Sequence, residues 1–189
     1  SEGDFVTYTV NERLDVASMT KWIRQQESVR PDAVVIFGTS NGAASAIFAA
    51  AEDPALAALA LDAPYSDLWA AAGEMLRSRG VSMWLRYPLS LAVRWRAGID
   101  LKSIRPADVI TQIQAPVLFL HGDADDQVPP YHSEHLDDLR RKAGLPSERW
   151  VLPGGEHGFD KYPPPGIFWN RVLDFFDAAL GGAPADLTL

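Results

Sequence analysis

Three short stretches of this chain could carry out nucleophilic chemistry together. Gly38-Thr39-Ser40-Asn41-Gly42 sets a serine between two glycines in the pattern G-x-S-x-G. His121-Gly122-Asp123-Ala124-Asp125-Asp126-Gln127-Val128-Pro129 supplies carboxylates, and Pro153-Gly154-Gly155-Glu156-His157-Gly158-Phe159 supplies a late histidine. A serine hydroxyl is a weak nucleophile until a base takes its proton, and an imidazole is a directed base once a carboxylate fixes its tautomer. Serine, then acid, then histidine is the chain order where the serine sits on a strand-turn-helix elbow. In that reading Ser40 attacks an acyl carbonyl, His157 takes its proton, and an aspartate of the middle loop orients His157.

Those roles need elements to position them. The apolar run Ala33–Phe37 predicts a short strand of a sheet covered on both faces. The small residues 43–51 predict a helix packed closely on it. A strained serine backbone is expected between them, with a side chain at Gly38 or Gly42 colliding with the turn. The Asn41 N–H, at the helix start, is the expected oxyanion donor, and the Asn41 side chain could also touch substrate. Further strands are predicted over Ala55–Asp62, Ala115–Leu120 and Glu148–Leu152. Helices are predicted over 11–27, 131–143 and 168–180. In the first of these Asn11 is the N-cap, and Leu14, Met19, Trp22 and Ile23 share one face.

Strands alternating with helices predict an α/β fold, a parallel-sheet, three-layer αβα arrangement with right-handed crossovers. The acid and histidine loops each follow a strand, which sets them at the carboxyl edge of the sheet beside Ser40. Residues 65–108 break the rhythm, with helices starting at Leu68 and running from Trp84 to Trp95. They read as a helical cap inserted into a single domain over 1–189, with Tyr65, Ser66 and Asp67 starting it. Trp84, Leu89 or Trp95 would then lie over the acyl pocket. As a surface amphipathic helix its Arg–Trp mix could instead touch lipid headgroups, but a lid or plain packing is the preferred reading, because Pro88 interrupts any long membrane face. Pro163-Pro164-Pro165-Gly166 reads as a rigid connector.

Composition narrows the classes further. A net charge of −8 with dispersed signs carries no nucleic-acid footprint. Without cysteine there is no disulfide, thiolate metal site or cysteine nucleophile. No apolar run approaches the roughly 20 residues that span a bilayer. The chain as written is expected in the cytoplasm, with an upstream anchor or signal left open. His132 and His135 flank Glu134 without a third ligand, so neither metal nor cofactor is expected. Asp123, Asp126 and Glu156 read as turn formers or solvated charges.

With G-x-S-x-G, the pattern H-G-x-x-D-x-x-V (His121, Gly122, Asp125, Val128) and a late G-x-H (Gly155, His157), the chain resembles the serine-hydrolase branch of the alpha/beta-hydrolase superfamily, near its serine aminopeptidase-like and acyl-ester hydrolase group. The resemblance implies that Asp125 is the orienting acid and that His121 is structural. It also implies cofactor-free hydrolysis of a small ester, with amides or short peptides second. It runs from about residue 3 to 180 but covers only the second half of that domain. The first strands and a second oxyanion donor would therefore lie outside residues 1–189, leaving Ala33–Phe37 at an open apolar edge. A missing N-terminal half, or a second copy, would complete the sheet. The competing reading is a hydrolase-fold binding or regulatory module, weakly active or inactive for want of a complete oxyanion hole. Acyl transfer and perhydrolysis would use the same three residues, whereas a dehalogenase would want a carboxylate at position 40.

Overall fold

Side chains alternate across a strand, so a strand buried on both sides must be apolar throughout and serves two cores at once. In the computed structural model, which describes residues 7–158 and 165–182, four strands form the sheet, and the two central ones are buried along their whole length. β1 (Val35–Thr39), β2 (Ala58–Asp62), β3 (Val117–Gly122) and β4 (Ser147–Leu152) lie side by side in that order, all parallel. Leu59, Leu61, Val117 and Phe119 point to one face, where they meet Ala43, Ala46, Ile47 and Ala50 of α2 (Asn41–Ala51) and Leu136 of α5 (Tyr131–Lys142). Ala58, Ala60, Leu118 and Leu120 point the other way, onto Phe168, Val172, Phe175 and Phe176 of α6 (Pro165–Ala179). The result is the three-layer αβα arrangement. Each fully buried Leu or Phe on these faces contributes about 1.5–3 kcal/mol.

The parallel strands must be bridged on one side by α5, and a buried cation fixes that bridge. The guanidinium of Arg140 is buried and donates to four carbonyls, those of Ile110, Ile113, Ala115 and Pro146. It ties the approach to β3 and the approach to β4 onto α5. Burial opposes its charge and brings its pKa down to about 10, with Asp137 acting the other way.

Element ends differ from expectation by a few residues. β1 runs on to Thr39, because Thr39 pairs with Asp62 across the sheet. α1 covers Glu12–Ile23 rather than 11–27. Asn11 precedes it in helical conformation and makes no side-chain cap; instead Thr7 and Glu12 close the turn, the Thr7 N–H and hydroxyl donating to the Glu12 carboxylate at 2.7 Å each. Leu14, Met19 and Trp22 are more than half exposed, while Ile23 reaches the core. Val16, Met19 and Ile23 instead line an open groove with Val34–Phe37. Among the described residues β1 pairs on one side only, so its outer edge is open and apolar, as the sequence predicts.

Residues 65–108 form α3 (Leu68–Ser78), α4 (Arg86–Ala97) and short 3-10 turns. The Asp67 carboxylate accepts the Ala70 N–H and starts α3. Leu68 and Ala71 then pack with Ala44, Leu101 and Val128. Two details here refine the expectation. Of the three residues named for a lid, Leu89 lines a cavity of about 200 Å³ with Leu68, Met75 and Val93, whereas Trp84, stacked on Tyr87, and Trp95 are 64% and 89% exposed. Pro88 does not interrupt α4. It lies in the first turn, where an N–H has no intrahelical partner to lose. The connector expected at Pro163-Pro164 lies outside the described residues, and Pro165 opens α6.

Candidate active site

Ser40 sits where β1 turns into α2, with φ +51° and ψ −119°. A non-glycine residue with positive φ is strained and persists only when its surroundings over-determine it. The Ser40 N–H donates to the Asp62 carbonyl at 2.8 Å, and the Ser40 carbonyl accepts the Ala44 N–H at 3.1 Å. Close approach of the two arms explains Gly38: a Cβ there would lie 2.8 Å from the Gly42 carbonyl oxygen. Gly42 is different. A Cβ at Gly42 would meet nothing within 4 Å, so the expected collision applies to one of the two glycines only.

The loops after β3 and β4 bring the other two residues to this turn. His157 Nε2 lies 3.0 Å from Ser40 Oγ, and His157 Nδ1 lies 2.7 Å from Asp125 Oδ2. An ionised carboxylate only accepts, so Nδ1 carries the proton and the Nε2 lone pair faces the serine hydroxyl. Asp125 is held from both sides. Its Oδ1 accepts the N–H groups of Gln127 and Val128 at 3.0 and 2.9 Å, and its Oδ2 lies 3.3 Å from His121 Nε2. Burial opposes the Asp125 charge, but the hydrogen bonds from His121, His157 and Val128 outweigh it and hold the carboxyl well below its ordinary range. The hydrogen bond to Asp125 pushes His157 above its ordinary value against desolvation, with help from the charges of Asp125, Asp62 and Asp126.

His121 is fully buried and its Nε2–H donates to the Val128 carbonyl at 2.7 Å, which fits the structural role implied by resemblance. Asp123 accepts the Gly154 N–H and latches the two loops together; Asp126 and Glu156 face solvent. The loops touch so closely that a Cβ on Gly122 would lie 2.1 Å from the Gly155 carbonyl oxygen.

Asn41 opens α2, which leaves its N–H among the first-turn donors that lack an intrahelical acceptor. Its side chain is engaged elsewhere: Tyr65 Oη donates to Asn41 Oδ1 at 2.9 Å. His132 and His135 do not converge. His132 is buried, its Nδ1 accepts the Ser66 N–H at 3.1 Å, and its Nε2 donates to Glu74 at 2.8 Å; His135 is exposed. That link bolts α5 to α3, and among the described residues no three His, Asp or Glu side chains converge as metal ligands. Sequence reasoning missed the surroundings of the turn. Asp62, at the carboxyl end of β2, accepts the Thr39 hydroxyl at 2.6 Å and sets a buried carboxylate beside His157. Its signal was its place in the register opposite Thr39.

The prolyl oligopeptidase family matches residues 7–183. The chain belongs to that family. Among curated relatives it is similar to the uncharacterized peptidase YtmA of Bacillus subtilis, 26% identical over 78% of this chain and 56% of that protein. It is similar also to the uncharacterized protein YqkD of the same organism, 25% identical over 94% of this chain and 58% of that protein. The chain thus spans about half the length of the curated relatives it matches. Its fold is that of a puromycin-hydrolyzing peptidase of Mycobacterium tuberculosis, at TM-score 0.78 and 21% identity over 95% of this chain and 27% of that one. An esterase of Pyrococcus furiosus shares the fold at TM-score 0.69 and 20% identity, over 93% of this chain and 65% of that one.

Proposed function

We propose that this chain carries a serine hydrolase site for carboxylic esters, with amides and short peptides as its second substrate class. The reading rests on the unbroken hydrogen-bond path from Ser40 Oγ through His157 to Asp125. Ser40 Oγ attacks the acyl carbonyl as its proton passes to His157 Nε2, and Asp125 stabilises the imidazolium without being protonated. The Asn41 N–H faces the developing oxyanion, a role worth about 3–4 kcal/mol per donor. His157 returns the proton to the leaving group, and a water deprotonated by the same imidazole releases the acyl group from Ser40. Family membership and a neighbour described as a peptidase support amide turnover; the neighbouring esterase supports ester turnover.

A panel of p-nitrophenyl esters together with a fluorophosphonate probe tests the assignment. Ser40→Ala is expected to abolish both turnover and labelling, and labelling that survives the substitution would refute it. One observation favours a weaker site: among the described residues, Asn41 is the N–H donor identified at the elbow. Labelling with turnover near background would identify a binding module rather than a fast enzyme.

A further inference from the structure

A helix on a protein surface normally turns its apolar stripe inward, and α4 carries a second apolar row that faces outward as well. Arg86, Ser90, Val93 and Ala97 form its partly buried side. The Arg86 guanidinium lies 4.7 Å over the Trp69 ring and donates to the Trp69 carbonyl, so a charged residue occupies the packed face. At 100° per residue the opposite pole of the helix carries Pro88, Leu91 and Trp95. Leu91 is 68% exposed and Trp95 89%, and Trp84, just before the helix, joins them at 64%. Arg94 and Arg96 flank this row, both exposed. The local charge is equally out of place: residues 77–105 hold seven Lys or Arg and one acidic residue in a chain of net charge −8.

We propose that the outward face of α4 docks on an anionic lipid surface. Tryptophan and leucine rimmed by arginine is the composition that seats a helix in the plane of a bilayer interface, with the apolar row among the acyl chains and the guanidinium groups at the phosphates. A second copy of the chain fits the face less well, because a two-fold contact would set Arg94 and Arg96 against their own images with one acidic residue, Asp100, nearby. A lid closing on Ser40 does not fit, since the row points away from the protein. Among the described residues no helix is long and apolar enough to span a membrane.

Vesicle flotation tests this with the 189-residue chain. Vesicles of phosphatidylglycerol and phosphatidylcholine should carry the protein upward, while vesicles of phosphatidylcholine alone, or high salt, should lower the bound fraction several-fold. L91Q/W95Q should reduce binding to anionic vesicles roughly tenfold, and R94Q/R96Q should erase the preference for anionic lipid. All four side chains are exposed, so an unchanged thermal midpoint is expected of each variant. Binding is read without turnover, so Ser40→Ala should float like the wild type and loss of activity leaves this result untouched. The proposal is overturned if the wild-type chain ignores anionic vesicles, if L91Q/W95Q binds them equally well, or if that variant merely converts a dimer into a monomer.

Discussion

The polarity of one imidazole decides what Ser40 can do. Asp125 accepts from Gln127, Val128 and His157 and remains charged, so His157 keeps its proton on Nδ1 and presents Nε2 to the serine. The hydrogen bond to Asp125 raises the His157 pKa, and the protonated form cannot act as a base. Activity should therefore fall as pH drops through a value above the ordinary ~6.5 of histidine, and should be full on the alkaline side. Asp125→Asn removes the cause of the upward shift. It should move that acid limb to lower pH and, by losing the productive tautomer, reduce kcat by about 10⁴. A pH–rate profile of both proteins with one ester checks the sign. An acid limb that stays put in Asp125→Asn would mean that His157 is not the titrating base.

At the scale of elements, close backbone approaches set the geometry. Gly38→Ala should distort the serine turn, because its Cβ would meet the Gly42 carbonyl, whereas Gly42→Ala points into open space and should keep its activity. Gly122→Ala is expected to be worse. Its Cβ would strike the Gly155 backbone and push the His157 loop away from Asp125, so turnover should fall while fluorophosphonate labelling slows in parallel. A different element-level test concerns α5. Arg140→Ala removes the guanidinium from four carbonyls, of which that of Pro146 keeps the Val117 N–H, and Arg140→Lys cannot reach all four with one ammonium group. The alanine variant should lose more than about 3 kcal/mol in urea unfolding, with the lysine variant recovering only part of it.

For the molecule as a whole, the open edge of β1 is the weak point. An unpaired strand flanked by apolar side chains is a template for association, and Met19 and Trp22 are exposed beside it at 60% and 56%. The 189-residue chain should self-associate with concentration in analytical ultracentrifugation. M19E/W22E should shift it toward monomer by charging the groove, without the change in lipid binding expected of L91Q/W95Q. An equally associated M19E/W22E would place the contact elsewhere.

Much of this was legible in the chain. Continuous apolar runs at 33–37, 55–61 and 117–120 pointed to short strands of a covered sheet. The order of serine, aspartate and histidine, each after a predicted strand, made their meeting at one sheet edge a matter of topology. Other features depend on distances between residues far apart in sequence, and those the tertiary structure alone decided. The Gly122–Gly155 contact, the Tyr65 hydroxyl that occupies the Asn41 side chain, and the carboxylate of Asp62 beside the turn have no local signature. The direction of α4 is the sharpest case. Periodicity in a sequence shows that a helix has two faces, but packing against α3, where Arg86 finds the Trp69 ring, chose which of them would meet solvent.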